Sequence, residues 1–345
     1  MSSMSGLLLA LLLLQAEPPR AMRIAISPAE TVAVSMSDGG SPVVLVPGLI
    51  GAGFTWRKVA PLLAAEGFRT VVVEPLGVGR SSRPGQADYS LGAQAGRVAA
   101  ALDSLGLTRV VLVAHAVGGS IALRVAARRP DLVSGLLLVE AGVAENATTP
   151  GFRRAMKFAP LLRLFGGVGL IRGKVHDQLA RDSGDPSWVD AAGVIDGYTA
   201  DAASDLGATL RAYRRMADAR ERDSIAPHLP DIHVPVLLLL GGAPHSGGPR
   251  SDEIARLSTS LPDFAADTLS GVGHFPHEER PGAVLDAVMH VHEEAMLSRP
   301  APPPALAGHR RTADTGDPGL QRTPVVGGES CVQSSRAVRA SSAAT

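Results

Sequence analysis

The sequence predicts an α/β protein: a mostly parallel sheet of about eight strands, flanked by helices and interrupted by a helical insertion. Three observations predict it. From Met22 to about Arg299, Val- and Leu-rich apolar runs alternate with amphipathic segments. That alternation stops between about Asn146 and Pro227, where the patterns are helical. After Arg299, Pro, Gly, Ser and Ala dominate and apolar periodicity is lost.

The elements follow in order. PVVLVPG (Pro42–Gly48) reads as a buried strand ending in a glycine turn. Thr55 to Glu66 has helical spacing, and Gly67 supplies the stop. FRTVVVEP is the next strand, and Ser90 caps a helix reaching about Leu105. RVVLVAH is a third buried strand, followed by a helix over Gly118–Arg129 and then the strand LVSGLLLVE. After the helical stretch come VPVLLLLGG, DFAADTLSG and a last helix opened by Pro281. Strands this uniformly apolar must be covered on both faces. The organisation is therefore a core of residues 22–145 and 228–299, a helical cap over 146–227, and a disordered tail over 300–345. The cap reads as a lid over the carboxyl edge of the strands, where open α/β sheets bind ligands.

Composition narrows the classes. The 345 residues are 45% hydrophobic with a formal net charge of zero, which argues against nucleic acid as partner. The one cysteine, Cys331, permits no intrachain disulfide and leaves the redox compartment open. Residues 1–16 read as a signal peptide, with an apolar run over Leu7–Leu14 and Ala16 at a small-residue cleavage site, although no Lys or Arg precedes the run. Export to the periplasm or medium follows if it is cleaved; otherwise the chain stays in the cytoplasm. The segment from Gly151 to Val175 carries Arg153, Arg154, Lys157, Arg163, Arg172 and Lys174 with no acid, interleaved with apolar residues. It reads as a cap helix with one apolar and one basic solvated face; membrane-surface contact or attraction of an acidic substrate is the sharper alternative.

The chemistry centres on VAHAVGGSIAL, where the third strand turns directly into a helix. A nucleophile elbow belongs at such a turn and needs small residues two before and two after its centre. Here these are Ala114 and Gly118, and the central residue is Ala116, which has no attacking atom. Ser120 lies one helical turn further on and is aimed at packing. No histidine or cysteine cluster has metal-ligand spacing, and no dinucleotide fingerprint follows the first strand, so neither metal nor cofactor is expected.

With VPGLIGAGFTWRKVAPLL, EPLGVGRSSRP, AHAVGG and GVGHFPHEERP in this order, residues 22–299 resemble the α/β-hydrolase superfamily. The likeness is strongest to capped members such as epoxide hydrolases, haloalkane dehalogenases and carbon–carbon bond hydrolases. The resemblance implies that Pro47-Gly48-Leu49 is the oxyanion turn, with the backbone N–H groups of Leu49 and Val117 as donors. It implies that Ala116 stands at the nucleophile position and that His274 is the late histidine. His115 would support the elbow, and His277 would take a surface or helix-start role. Many relatives carry the acid in the turn that here reads GGAPHSGG, which has no carboxylate. Others place it after the preceding strand, which here ends in Glu140, so Glu140 is the expected partner of His274. Asp252 is the alternative, although it better fits the opening of a helix in SDEIARL.

Without a Ser, Cys or Asp nucleophile, three readings follow. The protein is an enzyme using His274–Glu140 as a general base, or a small-molecule binding protein, or an ordinary ester hydrolase inactivated by replacement of its nucleophile. Two Trp, three Tyr and seven Phe make an aliphatic-lined pocket for a small, mainly apolar molecule the expectation.

Overall fold

The computed structural model describes residues 18–146, 148, 150–157 and 167–298. Residues 1–16, where the sequence suggests a signal peptide, the segment 300–345 with Cys331, and the centre of the basic segment, 158–166, lie outside the described residues.

Eight strands form one sheet: β1 (Arg20–Ser27), β2 (Glu30–Met36), β3 (Pro42–Val46), β4 (Arg69–Glu74), β5 (Val110–His115), β6 (Val133–Val139), β7 (Val236–Gly241) and β8 (Phe264–Leu269). Their spatial order is β1-β2-β4-β3-β5-β6-β7-β8. β1 pairs antiparallel with β2, and β2 with β4; every other pair is parallel. The hairpin β1–β2 is not anticipated by the sequence reading. Its outer strand alternates exposed and half-buried residues, so it lacks the continuous apolar run of a central strand.

The central strands divide their side chains strictly by parity, as the two-residue repeat of a strand requires. Val44, Val46, Leu112, Ala114, Leu136 and Leu138 face one layer, packed by α2 (Leu91–Ser104) and α3 (Val117–Arg128). Val43, Leu45, Val111, Val113, Leu137 and Val139 face the other, packed by α1 (Val59–Ala65) and the C-terminal helix Pro281–Leu297. Burial on both faces is why these strands contain no polar alternation. Ser90 caps α2 by accepting from Ala93 N at 3.3 Å. Gly67, with φ of 84°, ends the α1 segment as expected.

Between β6 and β7 the described residues are helical and contain no strand. The helices are α4 (Pro150–Lys157), α5 (Gly167–Arg181), α6 (Val194–Tyr198), α7 (Ala200–Ser204) and α8 (Leu206–Asp218). This insertion is anchored on the core at several points. The Tyr213 hydroxyl donates to Leu49 O at 2.6 Å, Gly79 N donates to Asp201 at 2.6 Å, and Trp188 and Tyr198 pack in one cluster with Phe275. Arg172 of the basic segment pairs with Asp196 within the insertion. No described helix is long and apolar enough to cross a membrane.

Candidate active site

β5 ends at His115 and α3 begins at Val117, so Ala116 is the whole turn between them. Its φ of 50° and ψ of −123° lie where a Cβ-bearing residue is strained. The turn closes because its neighbours are small. A Cβ on Gly118 would stand 2.8 Å from both Val46 O and Pro47 O, and one on Gly119 would stand 2.3 Å from the Ala141 Cβ. The strained backbone points the Ala116 side chain into a cavity of about 200 Å³. Gly48, Leu49, Val117 and His274 line the same cavity.

His274 sits in the loop after β8. Its backbone is held from two sides: its N–H donates to Asp182 O at 2.8 Å, and its carbonyl accepts from His115 Nε2 at 3.0 Å. The latter contact assigns His115 the tautomer with its proton on Nε2. Burial, then the charge of His274, pushes His115 down to about 3, so it is a neutral structural support beneath the elbow.

Glu140 follows β6 directly and also has positive φ, 51°. This kink turns its side chain along the carboxyl edge of the sheet toward His274. Oε2 lies 3.4 Å from His274 Nδ1, longer than a tight charge-assisted contact. Oε1 accepts from Gly241 N. Burial alone would raise the Glu140 carboxyl, but the hydrogen bonds from His274 and Gly241 N and the charges of His274 and His245 hold it below its usual range. Asp252 is elsewhere: it is exposed, opens the helix Ser251–Ser260 and pairs with Arg250 at 2.6 Å, which holds it down to about 2.

Two participants were not legible beforehand. His245, in the turn after β7, places Nε2 2.7 Å from the same Glu140 Oε2, closer than His274 does. The only sequence signal was a histidine in the turn where relatives carry the acid. Asp182, just past α5, is 2% exposed and lines the cavity. Its carboxylate accepts from Ser246 N at 3.1 Å, Ser246 Oγ at 2.9 Å and the Gln178 amide. Local spacing gave no metal-ligand set, yet Glu140, His245 and His274 converge from three separate segments into one cluster.

The remaining candidates fall into place by their contacts. Ser120 Oγ donates to Gly142 O at 2.8 Å and accepts from Ala144 N at 2.9 Å, fastening α3 to the chain after β6. His277 is helix-initial, in α9 (here Pro276–Glu279), but it is not a surface residue: it is fully buried against Trp56 and His115. Beside the Ala116 cavity, sharing Ile50, Phe152, Val175 and Gln178 with it, lies a larger chamber of about 450 Å³ within the insertion, lined mainly by apolar side chains. A cavity of similar volume beside Phe54, Arg57 and Arg80 does not include His274 or Ala116.

A mostly parallel sheet that brings a histidine–carboxylate pair to a strained strand–helix turn defines a hydrolase-type α/β architecture. Residues 41–186 match the family model described as alpha/beta hydrolase fold. That segment is similar to the α/β-hydrolase family, and the eight-stranded sheet has the α/β-hydrolase fold. The chain is 28% identical over 271 residues to an uncharacterized protein of Mycobacterium tuberculosis, covering 74% of this chain and 76% of the relative. It is 32% identical over 152 residues to the 2-hydroxymuconate semialdehyde hydrolase of Pseudomonas sp. strain CF600, covering 42% of this chain and 53% of that enzyme. Its fold is similar to that of a thermophilic esterase from Thermogutta terrifontis, with a TM-score of 0.64 and 23% identity over 80% of this chain and 99% of the esterase.

Proposed function

We propose that this protein acts on a small, mainly apolar organic molecule by general-base catalysis, with His274 as the base and Glu140 as its partner. The observation that carries the reading is the shared cavity: His274, with a carboxylate on its Nδ1 side, lines one space with the Ala116 methyl and with Leu49 and Val117. A neutral imidazole with its proton on Nδ1 toward Glu140 presents the Nε2 lone pair to the cavity. It can then take a proton from water or from a substrate O–H or C–H, a contribution of about 10²–10⁴-fold. The backbone N–H groups of Leu49 and Val117 are the oxyanion donors in this reading. Helices α4 and α5 act as the cap, and the apolar chamber they help line receives the bulk of the substrate.

Ala116 removes covalent catalysis, so the ordinary acyl-enzyme route is closed. The test restores it. Ala116→Ser is expected to fold normally, to show a burst on a small nitrophenyl ester and to become covalently labelled by a serine-directed phosphonate. His274→Ala in that background should abolish both. Labelling of the unmodified protein to the same extent would reveal another nucleophile and overturn the reading. An inert Ala116→Ser with a native fold would instead favour a binding protein, a second reading that Ala116 itself supports.

A further inference from the structure

We propose that Glu140, His245 and His274 form a binding site for a divalent transition-metal ion, zinc above others, and that the ion withdraws His274 from base catalysis. The second clause rests on the function proposed above; the first does not.

One donor atom from each of Glu140, His245 and His274 lies within 4.8 Å of the other two, with Glu140 Oε2 2.7 Å from His245 Nε2 and 3.4 Å from His274 Nδ1. Two imidazoles and one carboxylate form the donor set of open zinc sites, which leave a fourth position for water. Zinc bonds of about 2.0–2.2 Å at tetrahedral angles separate neighbouring donors by about 3.3 Å. The His274–Glu140 separation of 3.4 Å already matches. The His245–Glu140 contact of 2.7 Å must open by about 0.6 Å to reach that tetrahedral spacing. His245 stands in a turn bounded by Gly242, Gly247 and Gly248, which can accommodate that shift.

Hydrogen-bond bookkeeping at His245 points independently to a cation. Its Nδ1 lies 2.8 Å from Ala243 O, which can only accept, so Nδ1 carries a proton. Its Nε2 faces Glu140 Oε2, a second acceptor. A neutral imidazole has one N–H, so without a cation a ring lone pair would oppose a carboxylate oxygen. Either a proton or a metal ion resolves that opposition, and the Ala243 carbonyl is the kind of outer partner that orients a metal-bound imidazole. The buried Asp182 carboxylate, reached through Ser246, adds a second negative charge beside the cluster. Gly248 lies against the pair, where a Cβ would stand 2.4 Å from Glu140 Oε2 and 2.9 Å from His245 Nε2. His245 retains 10% side-chain exposure, which gives an ion a way in.

Coordination at His274 Nδ1 places the ring's remaining proton on Nε2, the nitrogen available to the cavity. The base becomes a donor, and catalysis stops until the ion leaves.

The test uses zinc chloride on chelator-treated full-length protein, followed by calorimetry and thermal unfolding. One ion per chain should bind and raise Tm. His245→Ala and His245→Asn should each weaken binding by at least about ten-fold, a typical effect of disturbing a metal site. His290→Ala, at an exposed histidine paired with Glu294, should not. Zinc should also slow phosphonate labelling of Ala116→Ser at least about ten-fold, with recovery on adding chelator, the loss expected when a general base is removed. No binding at millimolar zinc, or equal binding by the His245 variants, overturns the site. Site-specific binding with undiminished labelling overturns the regulatory clause alone. Site-specific binding with no labelling in any condition supports the site and overturns the base assignment.

Discussion

Ala116 holds a strained backbone, φ 50° and ψ −123°, at a cost of about 1–3 kcal/mol; in the function proposed above this is a nucleophile turn without its hydroxyl. Glu140 also bears a positive φ, 51°, and its carboxylate meets His245 and His274 at the end of β6. Ser120, one helical turn beyond Ala116, uses its hydroxyl to fasten the chain. It bridges Gly142 O and Ala144 N with full burial, so Ser120→Ala leaves both without that partner. The expected loss is about 1–3 kcal/mol in denaturant unfolding. Adding it to Ala116→Ser should leave phosphonate labelling intact; loss of labelling in a folded double variant would make Ser120 a participant in the chemistry.

At the scale of elements, the β5–α3 junction depends on backbone packing against β3. Gly118→Ala gains about 1 kcal/mol of intrinsic helix preference. Against that, the new Cβ would meet Val46 O and Pro47 O, backbone atoms of a central strand and its exit that cannot swing aside as a side chain can. Overpacking of this kind costs about 1–3 kcal/mol, so the clash should win and the variant should unfold at lower denaturant. A higher midpoint would mean that β3 and α3 separate readily, contrary to the packing described. The insertion is tied down differently, by polar contacts such as Tyr213 to Leu49 O and by the aromatic cluster around Trp188, Tyr198 and Phe275.

For the molecule as a whole, acid stability should reflect the buried histidine layer under the site. Burial, reinforced by the neighbouring imidazoles, which could not share further protons without repulsion, and by Arg57 and Lys58, holds His277 well below its ordinary value of 6.5; Glu278, next along the chain, is paired with Arg57, Lys58 and Tyr198. The unfolded chain takes up this proton near pH 6.5 and the folded chain only at much lower pH. Stability therefore falls as pH drops below 6.5, by about 1.4 kcal/mol per pH unit for this group, and levels off only at its folded pKa. His277→Phe keeps a ring against Trp56 and removes the proton, so its stability should fall less steeply across that window. An unchanged slope in unfolding measured from neutral to acid pH would assign the acid sensitivity to other groups.

What the sequence determined by itself is local. Continuous Val and Leu runs specify strands buried on both faces, because any polar alternation would place charge in one of the two helix layers. AHAVGG specifies a tight strand–helix turn through its small residues, and Glu140 was readable as a strand-end carboxylate. Tertiary structure decided the rest. The hairpin of residues 20–36 is a half-exposed edge whose apolar pattern is weak, and its place beside β4 depends on pairing across distant segments. His245 reaches Glu140 across 105 positions, and Asp182 meets Ser246 across 64, so no spacing rule could join them. His277 reads in sequence like any polar residue at a helix start, but Trp56 and His115 of β5 pack against its ring. Burial of that kind comes from contacts with separate segments, and it exists only once the chain has folded.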